Sequence, residues 1–118
     1  MPEMSKQSHY RRGVAPLVIL SLLSREDMYG YQLVQETERQ SGGRLITQEG
    51  SLYPVLYKML EKGYISDRRV LSGKRMTRIY YHLEPAGAEY LKTLIKEYMD
   101  ITDGVMSIIQ GAQTAEQE

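Results

Sequence analysis

The sequence predicts a mainly α-helical fold with a two-stranded β wing and a long helix at its C-terminal end. Three observations predict it. Residues 14–62 read as three short helices with apolar stripes, separated by polar or glycine-containing breaks. Residues 65–83 read as two extended runs around Ser72-Gly73-Lys74. From Pro85 onward, apolar residues recur at three- to four-residue steps for about 25 positions. This is a winged helix-turn-helix pattern followed by a C-terminal dimerisation helix. The expected division is residues 1–83 for the winged unit, 84–110 for the dimerisation helix and 111–118 for a polar, disordered tail.

Residues 1–11 are polar apart from Met4 and Tyr10, and Arg11 and Arg12 follow. This start either frays or forms a short helix from Ser5 that packs on another subunit. Val14 to Leu23 is almost continuously apolar, with Pro16 in the first turn. It is too short for a bilayer and suits a buried helix. Tyr29-Gly30-Tyr31 opens the second helix, whose inner stripe is Leu33, Val34 and Thr37, and Ser41-Gly42-Gly43 ends it.

The third helix organises the chain. Thr47 is a candidate N-cap, and Glu49 adds a negative charge where the helix dipole favours one. Leu52, Leu56, Met59 and Leu60 form the inward stripe, and Gly63 suits the C′ position. The opposite face carries Gly50, Ser51, Tyr53, Pro54, Tyr57 and Lys58. An idle surface helix mixes acids and bases at i, i+4. This one offers small groups, hydroxyls and a cation, which suits close approach to DNA. Pro54 removes one backbone hydrogen bond and crowds the carbonyl four residues back, which here belongs to Gly50. The competing reading starts the helix at Pro54 itself.

In the hairpin, Ile79, Tyr81 and Leu83 alternate with Arg78, Tyr80 and His82. Its cations are Arg68, Arg69, Lys74, Arg75 and Arg78, against Asp67 alone. Charge protects an exposed edge strand from pairing, but that purpose needs no single sign. In the last helix, Leu91, Leu94, Ile95, Tyr98, Ile101, Thr102, Val105, Ile108 and Ile109 fall into adjoining rows. About 25 helical residues span roughly 37 Å, more than one small domain covers, so the stripe is expected to pack on a second chain.

Composition narrows the function further. The 118 residues suffice for one domain and carry no net charge. Residues 1–83 nevertheless hold 13 Lys/Arg against 8 Asp/Glu, and residues 84–118 hold 2 against 7. A basic first part and an acidic last part fit a nucleic-acid face and a separate partner face. Cys is absent and the only His are His9 and His82, so a zinc finger, thiol chemistry or a His-based metal site is not expected. No glycine-rich phosphate loop follows a strand, and no enzyme or cofactor is indicated. No signal peptide opens the chain and no apolar run spans a bilayer, so the expected location is cytoplasmic.

These residues resemble the PadR family of bacterial transcriptional regulators. The resemblance lies in Arg11-Arg12-Gly13, Tyr29-Gly30-Tyr31-Gln32-Leu33, Gly50-Ser51-Leu52-Tyr53-Pro54-Val55-Leu56, Leu60-Glu61-Lys62-Gly63-Tyr64-Ile65 and Tyr80-Tyr81-His82-Leu83 followed by Gly87. It covers residues 11–110, and the single last helix is similar to the small subfamily. Glu84 stands where the family commonly has Thr. The resemblance implies a homodimer, usually a repressor, with each C-terminal helix packed on the other subunit. It also implies a phenolic or other hydrophobic effector. Multidrug-responsive relatives hold theirs between Trp side chains at the dimer interface. This chain has no Trp, a departure that counts against a pocket of that kind, and Tyr98 and Met99 are the candidate lining of any effector site.

The expected mechanism places the third helix in the major groove of an inverted-repeat operator. Gln48, Ser51 and Tyr53 lie nearest the bases or flanking phosphates, on the face that Pro54 shares, with Tyr57 and Lys58 on the backbone. Tyr31 reaches a phosphate at the start of the second helix, and Lys74 and Arg75 reach toward the adjacent minor groove or its phosphates. Core packing competes as a role for Tyr53 and Tyr57, and is the better reading for Tyr29. The alternative function is a winged-helix protein-interaction module without specific DNA binding.

Overall fold

A computed structural model describes residues 14–117. The elements are α1 (Ala15–Leu23), β1 (Met28–Tyr29), α2 (Gly30–Gln40), α3 (Glu49–Glu61), β2 (Ile65–Ser72), β3 (Met76–Leu83) and α4 (Pro85–Gln117). The three strands form an antiparallel sheet in the order β1-β3-β2. The mainly helical fold with a basic hairpin agrees with the sequence reading. The expected N-terminal helix from Ser5, and Arg11 and Arg12, lie outside the described residues.

One core joins every helix to the sheet. Ile19, Leu20, Leu33, Leu52, Leu56, Met28, Ile65 and Tyr81 are all buried, with Leu91 at the start of α4 completing the cluster. The stripes read from spacing are those that turn inward: Leu33 and Thr37 in α2, and Leu52, Leu56 and Met59 in α3. Thr37 is a polar group inside that core, and its hydroxyl donates to the Leu33 carbonyl at 2.7 Å. That bond removes the cost of burying it.

α2 and α3 end in the same way. Gly42 and Gly63 have positive φ, the backbone shape that glycine takes without a Cβ penalty. Behind each, an amide reaches back to the last turn: Gly43 to the Glu38 carbonyl at 2.8 Å, and Tyr64 to the Met59 carbonyl at 3.0 Å. This Schellman closure satisfies carbonyls that a helix end leaves open.

Three sequence expectations are corrected, and the choice at Pro54 is decided. Tyr29 does not begin α2. It is extended, pairs with Tyr80 as part of β1, and sets its ring edge-on to Tyr80 at 5.4 Å. Thr47 is buried and is not the cap of α3. Gln48 occupies that position in an extended conformation without a side-chain cap bond. Pro54 lies inside α3, as the main reading of the sequence has it, and the helix starts five residues earlier, which rules out a start at Pro54 itself. The missing amide falls near the helix start, and Gly50 supplies the unencumbered carbonyl that the ring must pass. Finally, α4 does not stop near residue 110 but runs to Gln117. Ala112, Gln113, Ala115 and Glu116 are good helix formers, and Gly111 alone is too weak a breaker to end a helix of this length.

The junction of β3 and α4 is tight. Glu84 is the single residue between them. Its amide donates to the Tyr64 carbonyl at 3.0 Å, and its own carbonyl accepts the Ala88 amide at 2.9 Å. Tyr64 and Tyr90 stack at 4.4 Å across the same corner. Glu84 is a weaker cap than Thr, and its carboxylate accepts from the Ser66 hydroxyl at 2.7 Å.

Candidate nucleic-acid interface

The inward stripe of α3 anchors the helix and leaves its other side in solvent. Gln48, Gly50, Pro54 and Lys58 are exposed, Ser51 is half-buried, and Tyr57 is 61% exposed. The structure therefore separates two tyrosines that the sequence grouped together. Tyr53 is half-buried and packs on the core. Its hydroxyl lies where a Cβ on Gly30 would sit, only 2.6 Å from that position. Glycine at residue 30 thus lets α3 close on the first turn of α2. Burial raises the Tyr53 phenol above its ordinary pKa, and the nearby Glu49 and Tyr57 add to the effect. The Tyr57 ring stacks on Tyr53 at 6.1 Å and faces outward. Tyr31, the neighbour of Gly30, is also exposed. The outer side of α3 and the amino end of α2 therefore adjoin.

The wing supplies the second cationic region. Ser72 pairs with Met76, and Gly73 takes a positive φ in the turn that carries Lys74 and Arg75. Both cations are exposed. Among the described residues, neither they nor Lys58 have an ion-pair partner. The other wing cations divide. Arg69 is exposed, but Arg78 lies over the Tyr29 ring at 4.3 Å and Arg68 over Tyr80 at 5.5 Å. Arg68 is also paired with Asp27. These two arginines fasten β1 to the hairpin and are less available than their charge suggested. No local signal marks the pairing, because Asp27 is 41 residues from Arg68.

Asp27 also meets His82, with Nδ1 2.7 Å from its carboxylate. A carboxylate can only accept, so Nδ1 carries the proton. Burial pushes the Asp27 carboxyl up, but the hydrogen bonds from His82 and Arg68 outweigh it and leave the group below its ordinary value. A lowered carboxylate pKa contributes stability above the unfolded value, near 4, which is lost as pH falls through the folded value. Asp27→Asn is therefore expected to cost up to about 1 kcal/mol at neutral pH. The gap between the two proteins should shrink as urea midpoints are measured from pH 7 down to pH 3. A gap that stays constant across that range would refute this account. Glu36 is lowered further, to about 2, chiefly by the hydrogen bond from Arg39.

The predicted dimer stripe divides along α4. Leu91 is buried and Leu94 half-buried in the core. Thr102 is half-buried, while Ile95, Tyr98, Ile101, Val105, Ile108 and Ile109 remain exposed. Tyr98 and Met99, the effector candidates, lie on this exposed stretch. A cleft of about 430 Å3 opens elsewhere, where Pro16, Val55, Lys58, Lys62, Tyr64 and Tyr90 meet. Among the described residues no group of acidic or His side chains could hold a metal ion, and no helix is long and apolar enough to cross a membrane.

Comparison with known proteins agrees with this architecture. The chain is similar to the transcriptional regulator YqjI of Escherichia coli, 32% identical over 87 residues, which is 74% of this chain but 40% of that protein. It superposes on a PadR family transcriptional regulator from Eggerthella lenta with a TM-score of 0.77 and 25% identity, covering 92% of each chain. Bacillus subtilis PadR in complex with operator DNA shares the fold at a TM-score of 0.65 and 24% identity, over 70% of this chain and 46% of that one. Residues 19–93, well over half of the sequence, match a single family description, and the chain belongs to the transcriptional regulator PadR-like family.

Proposed function

We propose that the chain acts as a cytoplasmic, homodimeric repressor that binds an inverted-repeat operator and is released by a small hydrophobic or phenolic effector. Its family is one of transcriptional regulators and not of enzymes. The observation that carries the reading is the solvent-facing side of α3. A helix held from behind by Leu52, Leu56 and Met59 presents Gln48, Ser51, Tyr57 and Lys58 outward, free to enter a major groove. Gln48 and Ser51 are near the amino end of the helix, where base edges are reached, and Lys58 sits further along for a phosphate. Tyr31 and the Lys74–Arg75 turn extend the contact along the backbone. Residues 84–110 join two copies. Tyr98 and Met99 would line an effector site only within that joint.

Tyr53 and Tyr57 separate the roles. Tyr57→Ala is expected to weaken operator binding about tenfold and to move the melting temperature by no more than about 2 °C, because the ring is exposed. Tyr53→Ala is expected to lower stability by about 2 kcal/mol, because its ring fills the contact with Gly30. Thermal melts and operator titrations on both variants check this. Equal losses of binding and stability in Tyr57→Ala would remove it from the interface.

The direct experiment is selection of genomic fragments by the purified protein, followed by titration between about 50 and 200 mM salt. An enriched inverted repeat is expected, with affinity falling steeply as salt rises, since each phosphate contact releases counterions. Random fragments and a flat salt response would overturn the proposal in favour of a protein-interaction module.

A further inference from the structure

The wing tip carries apolar side chains that neither the core nor the charge pattern explains. Leu71 is 78% exposed and Met76 is 59% exposed. They flank the turn that holds Lys74 and Arg75, and no acidic residue occurs from Arg68 to Arg78. Single exposed apolar residues are ordinary on a protein surface. Their placement here is not. Leu71 pairs with Thr77, and Met76 pairs with Ser72. Paired residues share a face of a sheet and successive residues alternate, so Leu71 and Met76 project from opposite faces of the ribbon. Ile79, opposite Arg69, lies on the same face as Leu71 and is also exposed.

A tip that docks on a flat partner needs one apolar face. A tip with an apolar group on each face and cations at its end suits insertion between two walls under a negative potential. The minor groove of DNA offers that geometry. Its walls are the carbon-rich faces of the deoxyriboses, and phosphates line its rims. The approach of Lys74 and Arg75 to the minor groove belongs to the mechanism already expected; we propose that the wing acts there as an apolar wedge, with Leu71 and Met76 against opposite sugar walls. The inference rests on the DNA-binding reading above and adds a mode of recognition to it.

Size gives the wedge a consequence. A ribbon with side chains on both faces is about 10 Å thick, close to the spacing of packed sheets. The undeformed minor groove is about 6 Å wide. The groove must therefore open, and the duplex bends away from it, as happens where apolar side chains part base steps. Opening is easiest at pyrimidine–purine steps such as TA and CA. The wing thus selects sequence beside each half-site by how readily it deforms, without reading a base edge.

The test uses the full chain and the double variant Leu71→Ser with Met76→Ser, whose native side chains are too exposed to support the fold. The probes are operator fragments that differ only in the flanking steps, TA-rich or GC-rich, with fluorophores at both ends. The wild-type protein is expected to bring the ends together and to prefer TA-rich flanks about tenfold. The double variant should lose both the bend and the preference, with its salt slope unchanged because no phosphate contact is removed. A bend and preference that survive in the double variant overturn the wedge. That result also fits the apolar tip being a surface for another protein. Failure of the wild-type protein to bind any operator fragment would instead defeat the DNA-binding reading itself, so the two failures are distinct.

Discussion

Gly87→Ala is expected to lower the melting temperature by about 10 °C, the largest loss of stability from the addition of one methyl group to this chain. On propensity alone the change should help, since alanine in a helix is worth about 1 kcal/mol over glycine. The surroundings reverse the sign. Gly87 is buried in the first turn of α4, and a Cβ there would stand 2.0 Å from the Tyr64 carbonyl oxygen and 2.8 Å from a Leu83 methyl. The leucine can turn aside, but the carbonyl cannot. It accepts the Glu84 amide, and the Tyr64 ring is stacked on Tyr90. Relief means moving α4 off the hairpin, which breaks that hydrogen bond and loosens Leu91 in the core. A net cost of about 2–3 kcal/mol follows from overpacking of this kind. Gly104→Ala is the control. Nothing lies within 4 Å of a Cβ at that position, so the propensity gain should appear unopposed. Thermal melts of the two variants should shift in opposite directions. A Gly87→Ala protein as stable as its parent would show that the corner is not closed as described.

The second large effect concerns α4 itself. Replacing Ile101 and Ile108 together by Asp is expected to convert the protein to a monomer and to weaken operator binding by about 100-fold or more. Ile101 is 66% exposed and Ile108 75% exposed, so neither supports the fold of a single chain. Their burial would come from a partner, and a charge at the centre of such a contact has no compensating group. Two linked reading heads gain about 10²–10⁴ in avidity over one, and that gain vanishes when the link is cut. Sedimentation at micromolar concentration and operator titration would read the two changes together. A double variant that stays dimeric would place the interface elsewhere on the molecule.

Much of this architecture could be read from residue order because local chemistry dictates it. Gly42 and Gly63 stop their helices by a backbone geometry that needs no tertiary partner. The apolar spacing of α3 identifies its buried side, and the alternation in β3 with the Ser72-Gly73 turn identifies the hairpin. What escaped was decided at long range. Strand β1 is two residues long and exists only because Tyr80 and Tyr81 lie beside it. Tyr53 and Tyr57 look equivalent along α3 until Gly30 arrives from α2 and covers one of them. Arg68 and Arg78 counted as wing cations until β1 brought Asp27 and Tyr29 within reach. Gln48 displaced Thr47 as the cap because burial drew the threonine inward.

The one-residue passage from β3 into α4 has a mechanical consequence. No slack separates the hairpin from the long helix, because Glu84 is held at both its amide and its carbonyl. Eight strand residues extend about 26 Å from that corner to the turn. Were α4 to swivel by only 5°, a stiff arm of that reach would sweep its far end through about 2 Å. A slight change in how the long helix is seated would thus be magnified at the tip, with no hinge needed in between.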